Sequence, residues 1–398
     1  MTLEVPYFTH EEIMQLRQDT QGAGGRVHLD NCGSSLMPKP VITAQIAQLN
    51  LEAQFGGYVA QEQQLGALES VYASISTLIE CSVDDVALTT SAVDAWTKAF
   101  YSIPMSAGDT VITSPGEYCS NYVAFLHRQK NDGIKIRVAE ATVDGGVNID
   151  HLESLIDEST KLISLTHIPS SSGAILPAYE VGAIARQHNV LFLLDTCQSI
   201  GQIPVNVKDI GCDIATATGR KFLRGPRGVG FLYMNSRARE GMNPVVMTNQ
   251  GAAWDSHNTY KLRSDARVFE AWERSAVNIL GLGAAVEYMQ SLGVNRTTGQ
   301  TLHLGRSLRQ QLRGIKGVRI ECPSAAEAAI ITFNKTGYTA AEIKKHMEQQ
   351  NIAVQIASVV HTRLDLEARG IDSAVRVSPH YYNNQDDYDR FLTVLEDM

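Results

Sequence analysis

The sequence predicts an α/β fold: a large domain with a mostly parallel sheet covered by helices, and a smaller α+β domain after it. Three observations carry this expectation. From about residue 85, short apolar runs alternate with helical patterns, as strands joined by crossover helices do. Some runs are apolar throughout, Val190-Leu191-Phe192-Leu193-Leu194 most clearly, as strands buried on both faces must be. The chain of 398 residues is also too long for one minimal core.

The elements follow in order. Val86-Ala87-Leu88-Thr89-Thr90 reads as a strand and 94–102 as the helix after it. Further strands are expected at 109–113, 134–138, 161–166, 190–194, 214–216 and 230–234, with a helix at 179–188 between two of them. After about residue 280 the texture changes. Helices are expected at 281–292, 301–314, 339–350 and 385–398, and strands at 318–321, 329–333 and 375–378. Thr339 followed by Glu342 is a capping-box pattern. The expected division is a large domain at 25–280 and a small one at 281–398, joined by part of residues 1–24.

Composition excludes several functions. A hydrophobic fraction of 44% and a charged fraction of 19% are ordinary for a globular chain. A net charge of -9 argues against a nucleic-acid or polybasic membrane surface, though an anionic small molecule can still meet a local cationic site. None of the six cysteines forms a CxxC pair, so no metal is expected. The first residues are polar and acidic, unlike a targeting peptide, and no 18-residue apolar run occurs. The expectation is a cytoplasmic protein with reduced thiols.

Three segments carry chemistry. Leu193-Leu194-Asp195-Thr196-Cys197-Gln198 delivers a carboxylate at a strand's C-terminal end, where open α/β sheets bind ligands. A buried Asp needs a cation such as a protonated pyridine nitrogen, although a plain helix cap would also place Asp there. Thr218-Gly219-Arg220-Lys221 leaves a strand and enters a turn rich in glycine and proline. A desolvated lysine beside cations becomes a nucleophilic amine. The alternative is a solvated basic loop. Thr89-Thr90-Ser91-Ala92-Val93-Asp94 passes from strand to helix, a start that suits a phosphate or is simply an N-cap.

Taken in chain order, with Pro115-Gly116-Glu117-Tyr118 between the Thr89 and Asp195 segments and Thr218–Lys221 last, the chain resembles the class V aminotransferases among fold type I pyridoxal-phosphate enzymes. The likeness runs from about residue 27 to the C-terminus. It implies pyridoxal 5′-phosphate held as a Schiff base on Lys221, which also moves the substrate Cα proton. It further implies that Asp195 pairs with the ring nitrogen and Gln198 with the ring hydroxyl. Thr218, Arg220 and the backbone of Ala92 and Val93 would bind the phosphate. Tyr118 would stack on the ring, and Ser170 stands where the family commonly has an Asn. Arg376 would grip the substrate carboxylate as a bidentate partner, with Asn31 and Tyr58 beside the substrate. A small amino-acid substrate and a homodimer with the site at its interface are also implied. The partner threonine of the family is replaced here by Glu273, which cannot bind a phosphate directly.

Within that group, cysteine desulfurases carry a persulfide-forming cysteine shortly before the carboxylate arginine. Residues 351–375 contain none, and a thiolate must receive the sulfur. Gly56-Gly57-Tyr58, the Glu117-Tyr118 pair, Arg220-Lys221 and Arg376-Val377-Ser378-Pro379-His380 are instead similar to the hercynylcysteine sulfoxide lyases of ergothioneine biosynthesis. That likeness implies β-elimination from an S-substituted cysteine, giving a sulfenate or thiol, pyruvate and ammonia. Tyr58, Tyr118, Trp254, Trp272, Tyr381 and Tyr382 are candidates for an aromatic cage around a quaternary ammonium, or else core and interface aromatics. The rivals are a desulfurase-like enzyme, an aminotransferase, an epimerase and a non-enzymatic regulator. A regulator would need a DNA-binding module, for which the roughly 25 leading residues are too few.

Overall fold

The computed structural model describes residues 7–398. Its centre is a seven-stranded sheet made of β1 (Val86–Thr89), β2 (Thr110–Thr113), β3 (Lys135–Val138), β4 (Thr160–Thr166), β5 (Leu191–Asp195), β6 (Ile214–Thr218) and β7 (Gly230–Met234). Their spatial order is β1-β7-β6-β5-β4-β2-β3. Only β7 runs against the others, pairing antiparallel with both β1 and β6. The mostly parallel sheet expected from the sequence is therefore present.

Side chains along each strand alternate between two cores. Leu88, Ile163, Leu165, Phe192, Leu194 and Phe231 point into one, which includes Tyr72, Val181 and Val286 from helices. Ala87, Val111, Leu162, Leu193 and Leu232 point into the other, with Trp96, Phe100 and Phe125. Helices thus cover both faces, which explains why these strands read as unbroken apolar runs. Trp96 lies at the centre of the second core, its ring 4.8 Å from that of Phe100 and 5.4 Å from that of Phe125.

A second, antiparallel sheet has the order β8-β9-β11-β10, from Val318–Ile320 (β8), Ile331–Lys335 (β9), Gln355–Ser358 (β10) and Ser373–Val377 (β11). Its core joins Phe333 and Val375 to Leu308, Ile343 and Phe391. Thr339 and Glu342 form the reciprocal capping box that their spacing predicts. The N-terminal segment belongs physically with this sheet: Val27–His28 pairs parallel with Ile352–Ala353, and Arg17 meets Asp387 at 2.7 Å. Residues 1–6, part of the expected joining segment, lie outside the described residues.

Some boundaries differ from the sequence reading. The helix expected from 281 is Ala276–Leu292 and runs unbroken through residue 280. The helix expected from 301 begins at Val294. The first turns of the second helix, Val294-Asn295-Arg296-Thr297-Thr298-Gly299, are polar, which obscures its apolar period. The strand expected at 329–333 is β9, displaced to Ile331–Lys335. The helices Lys39–Phe55 and Leu65–Ile79 and the hairpin Ala252–Ser256/Thr259–Leu262 had not been assigned. Lys39–Phe55 fully buries only Val41 and Gln48, so it has no continuous apolar stripe.

Because β1, β4, β5 and β6 are co-directional, their C-terminal ends meet at one edge of the sheet. That edge receives Thr89, Thr166, Asp195 and Thr218, and the functional residues gather there. Trp96→Ala would empty the packing behind this edge and is expected to cost about 3–5 kcal/mol, read from a urea unfolding curve.

Candidate active site

A cavity of about 520 Å³ opens at this edge. Asp195 ends β5 and faces into it, almost wholly buried. Its Oδ1 accepts from the Cys197 amide at 2.9 Å and its Oδ2 from Asn121 Nδ2 at 3.0 Å. Burial pushes the carboxyl pKa up, against the pull of these donors and of the nearby Lys221 charge. Gln198, in the turn after Asp195, donates from Nε2 to the Cys32 carbonyl at 3.1 Å. Its Oε1 is buried without a donor among the described residues.

β6 ends at Thr218, and the turn after it carries Arg220 and Lys221 into the same cavity. The Arg220 guanidinium also donates to the Gly33 carbonyl. Three residues beyond Lys221, Arg224 fastens the turn from behind. It adopts a left-handed backbone, φ 60°, and is buried. It donates to Leu36 O at 2.9 Å, Tyr381 Oη at 2.9 Å and Thr20 Oγ1 at 2.6 Å. Its guanidinium carbon lies 4.3 Å from the centre of the Tyr382 ring and 5.1 Å from that of Tyr381.

The third wall is the start of the helix Ala92–Ser102, where Ser91 caps Asp94 N at 3.0 Å. The amides of the first turn have no partner within the helix and face the cavity at Ala92 and Val93. β7 passes close behind. A Cβ on Gly230 would stand 2.4 Å from Ala217 O and 2.8 Å from Ser91 C, so only glycine fits between β6 and this helix start. Tyr118 and Ser170 complete the lining among the expected residues, and burial raises the Tyr118 hydroxyl pKa.

Nine expected residues therefore share one cavity: Ala92, Val93, Tyr118, Ser170, Asp195, Gln198, Thr218, Arg220 and Lys221. They fit pyridoxal 5′-phosphate on the structure's own terms. Asp195 is a buried acid in want of a cation, Gln198 Oε1 is an acceptor in want of a donor, and the helix start offers amides to an anion.

The three expected substrate residues are placed differently. Arg376 stands behind the lining, donating to the Ser170 carbonyl at 3.3 Å and approaching Asp30 Oδ1 at 3.6 Å. Its Nε is buried without a partner among the described residues. Asn31, expected beside the substrate, donates from Nδ2 to Ser378 O at 2.7 Å and accepts at Oδ1 from Tyr382 Oη at 2.6 Å. Tyr58 lies outside the single-chain cavity and is 69% exposed. The aromatic cage also changes. Only Tyr118 of its six candidates lines the cavity. Tyr381 and Tyr382 already hold Arg224, and Trp254 and Trp272 are exposed. Glu273 is not part of the cavity wall.

Sequence reasoning missed Asn121, Thr166, Ile168 and Cys197 as lining residues. Asn121 carried a usable signal, since it follows Glu117 by four residues, one helical turn. Cys197 stands between Asp195 and Gln198, but burial raises its thiol pKa, so it is a poor thiolate. The segment 351–375, where a persulfide cysteine would be needed, packs behind the wall through His361 and Thr362. His361 O accepts from the Cys119 amide at 3.0 Å, and Thr362 and Ser171 share a hydroxyl hydrogen bond.

The class-V aminotransferase family pattern matches residues 27–391, and the chain belongs to that family. A probable cysteine desulfurase of Methanothermobacter thermautotrophicus is 26% identical over 390 residues, covering 96% of this chain and 97% of that one. The cysteine desulfurase CsdA of Escherichia coli, seen as its S-sulfonic acid, has a similar fold. Its TM-score is 0.89 at 20% identity, with 98% of each chain covered. A cystine C–S lyase, solved with its product cysteine persulfide, superposes with a TM-score of 0.86 at 19% identity over 95% of this chain and 99% of that one.

His167 follows β4 and is wholly buried, and burial lowers its imidazole pKa from 6.5 to about 4. Between those values the unfolded chain takes up a proton that the folded chain refuses. Stability should therefore fall as pH drops through this window, by up to about 3 kcal/mol from this residue. The buried His380 acts with the same sign. His167→Gln is expected to flatten, without abolishing, the pH dependence of the urea midpoint.

Proposed function

We propose that this chain is a pyridoxal-phosphate-dependent carbon–sulfur lyase. Its reaction is β-elimination on an S-substituted cysteine, with sulfoxides such as hercynylcysteine sulfoxide as the preferred class. The observation that carries this is one cavity joining Lys221, Asp195 and Gln198, beside a 351–375 segment without cysteine. The names of its relatives, desulfurases and a cystine C–S lyase, support chemistry at a cysteine Cβ–S bond.

When bound, the cofactor supplies an electron sink that makes the substrate Cα–H acidic. Asp195 would hold the ring-nitrogen proton, Gln198 the ring hydroxyl, and Thr218, Arg220 and the amides of Ala92 and Val93 the phosphate. Lys221 Nζ would take the Cα proton. The Cβ–S bond then breaks with its electron pair leaving on sulfur, as sulfenate from a sulfoxide or thiolate from a thioether. Water converts the remaining three-carbon unit to pyruvate and ammonia. In this proposal Arg376, which stands behind Ser170, would turn towards the cavity to meet the substrate carboxylate.

The desulfurase reading is the rival that the relatives' names favour. Both readings are tested together. Loaded protein given S-substituted cysteine sulfoxides is expected to release pyruvate, and Lys221→Ala to do so at least about 10³ times more slowly. Alanine from free cysteine, with no pyruvate from any derivative, would establish a desulfurase instead. Cα-proton exchange without loss of the side chain would indicate an epimerase.

The functional unit in this proposal is a homodimer. Tyr58, Trp254 and Trp272 are 69%, 78% and 53% exposed, and the hairpin carrying Trp254 has almost no buried side chain. Large aromatics left in water favour burial against a partner. Sedimentation equilibrium should give twice the chain mass, and Trp254→Asp with Trp272→Asp should shift it towards the monomer.

A further inference from the structure

Glu117 is buried, yet among the described residues no cation pairs with it. Five donors converge on its carboxylate instead. Oε2 accepts from Thr113 Oγ1 at 2.8 Å and Ser164 Oγ at 3.2 Å. Oε1 accepts from Thr166 Oγ1 at 2.6 Å, the Tyr118 amide at 2.9 Å and Asn121 Nδ2 at 2.9 Å. These donors come from β2, β4 and the helix Cys119–Asp132, which bracket the cavity. Burial pushes the Glu117 carboxyl pKa up, and the donors from Thr166, Asn121 and Thr113 pull against it; an ionised carboxylate offers about four lone-pair sites, which these neutral donors fill.

Asn121 makes the link to the site. Its amide nitrogen also donates to Asp195 Oδ2 at 3.0 Å, so its two hydrogens join two carboxylates. Groups that share one nitrogen in this way lie within about 6 Å of each other, and both acids are buried. A second negative charge at that range makes Asp195 costlier to keep ionised alone and correspondingly more eager for a cation.

We propose that Glu117 is a positioning residue for the cofactor: joined to Asp195 by Asn121, it backs that acid with a second buried charge and so raises the basicity of the ring nitrogen. This rests on the pyridoxal-phosphate reading above. A purely structural Glu117 would staple β2, β4 and the helix together without changing how the ring titrates.

Glu117→Gln separates the two roles. Its amide oxygen can keep the Thr166, Tyr118 and Asn121 donors. Its NH₂ would face the Thr113 and Ser164 hydroxyls, which can turn to accept. The shape is kept and the charge removed. Apo protein is titrated with pyridoxal 5′-phosphate, and the pH response of the bound cofactor's visible band is followed, with thermal melting as the check on folding. In Glu117→Gln, binding should weaken on the order of tenfold and the band's transition should move down by about one pH unit. Asn121→Ala leaves Glu117 its charge and four other donors, and tests the link from its other end. It should weaken binding comparably, and the double variant should lose less than the product of the two single losses. Glu117→Gln binding within twofold of wild type with an unmoved band, or losses that multiply as independent effects, would overturn the proposal. Wild-type protein that takes up no cofactor would overturn the functional reading itself, and this inference with it.

Discussion

A carboxylate held out of water at the end of a parallel strand must find a positive charge, and at Asp195 the strand order decides where that charge can come from. The Cys197 amide and Asn121 satisfy its oxygens as hydrogen-bond acceptors but bring no charge, and burial raises its pKa. The remaining direction is the cavity. Neighbouring co-directional strands end at that same opening, so Thr166, Thr218 and Lys221 face whatever Asp195 attracts. The chemistry follows from a deficit of charge and from the parallel strands that place it.

Arg224 is the complementary case. It is a buried cation with no acid paired to it among the described residues, stabilised by two oxygens, one phenol and the faces of Tyr381 and Tyr382. Those partners come from the N-terminal segment and from the stretch after β11, so one guanidinium ties both to the turn that presents Lys221. Charge-assisted hydrogen bonds and ring contacts of this kind are costly to form in isolation and rigid once complete. The lysine turn is thus fixed by a residue three positions away.

Much of this was legible in the sequence. The central strands of the large sheet were found because strands buried on both faces must be apolar along their length, whereas the edge strand Lys135–Val138 is exposed or half-buried throughout. Lys221, Asp195 and Gln198 were assigned through the motif order that resembles the class V aminotransferases, since each segment alone admits a plain structural reading. What escaped depends on contacts between distant residues. Asn31 reads as a polar residue near a strand, and only the folded chain shows Tyr382 and Ser378 bonding its amide. Tyr381 and Tyr382 read as free aromatics until Arg224 is seen against them. Lys39–Phe55 escaped because so little of it is buried that its sequence carries no stripe.

Asn121 has a consequence for how this protein ages and varies. One of its atoms, Nδ2, supplies hydrogens to two buried acids. Exchange of that nitrogen for oxygen, by a single substitution or by slow hydrolysis of the amide where it lines the cavity, would set a third acceptor against two buried others. The atom on which the long-term integrity of the pocket turns is an amide nitrogen on a helix rather than the lysine or the acid it serves.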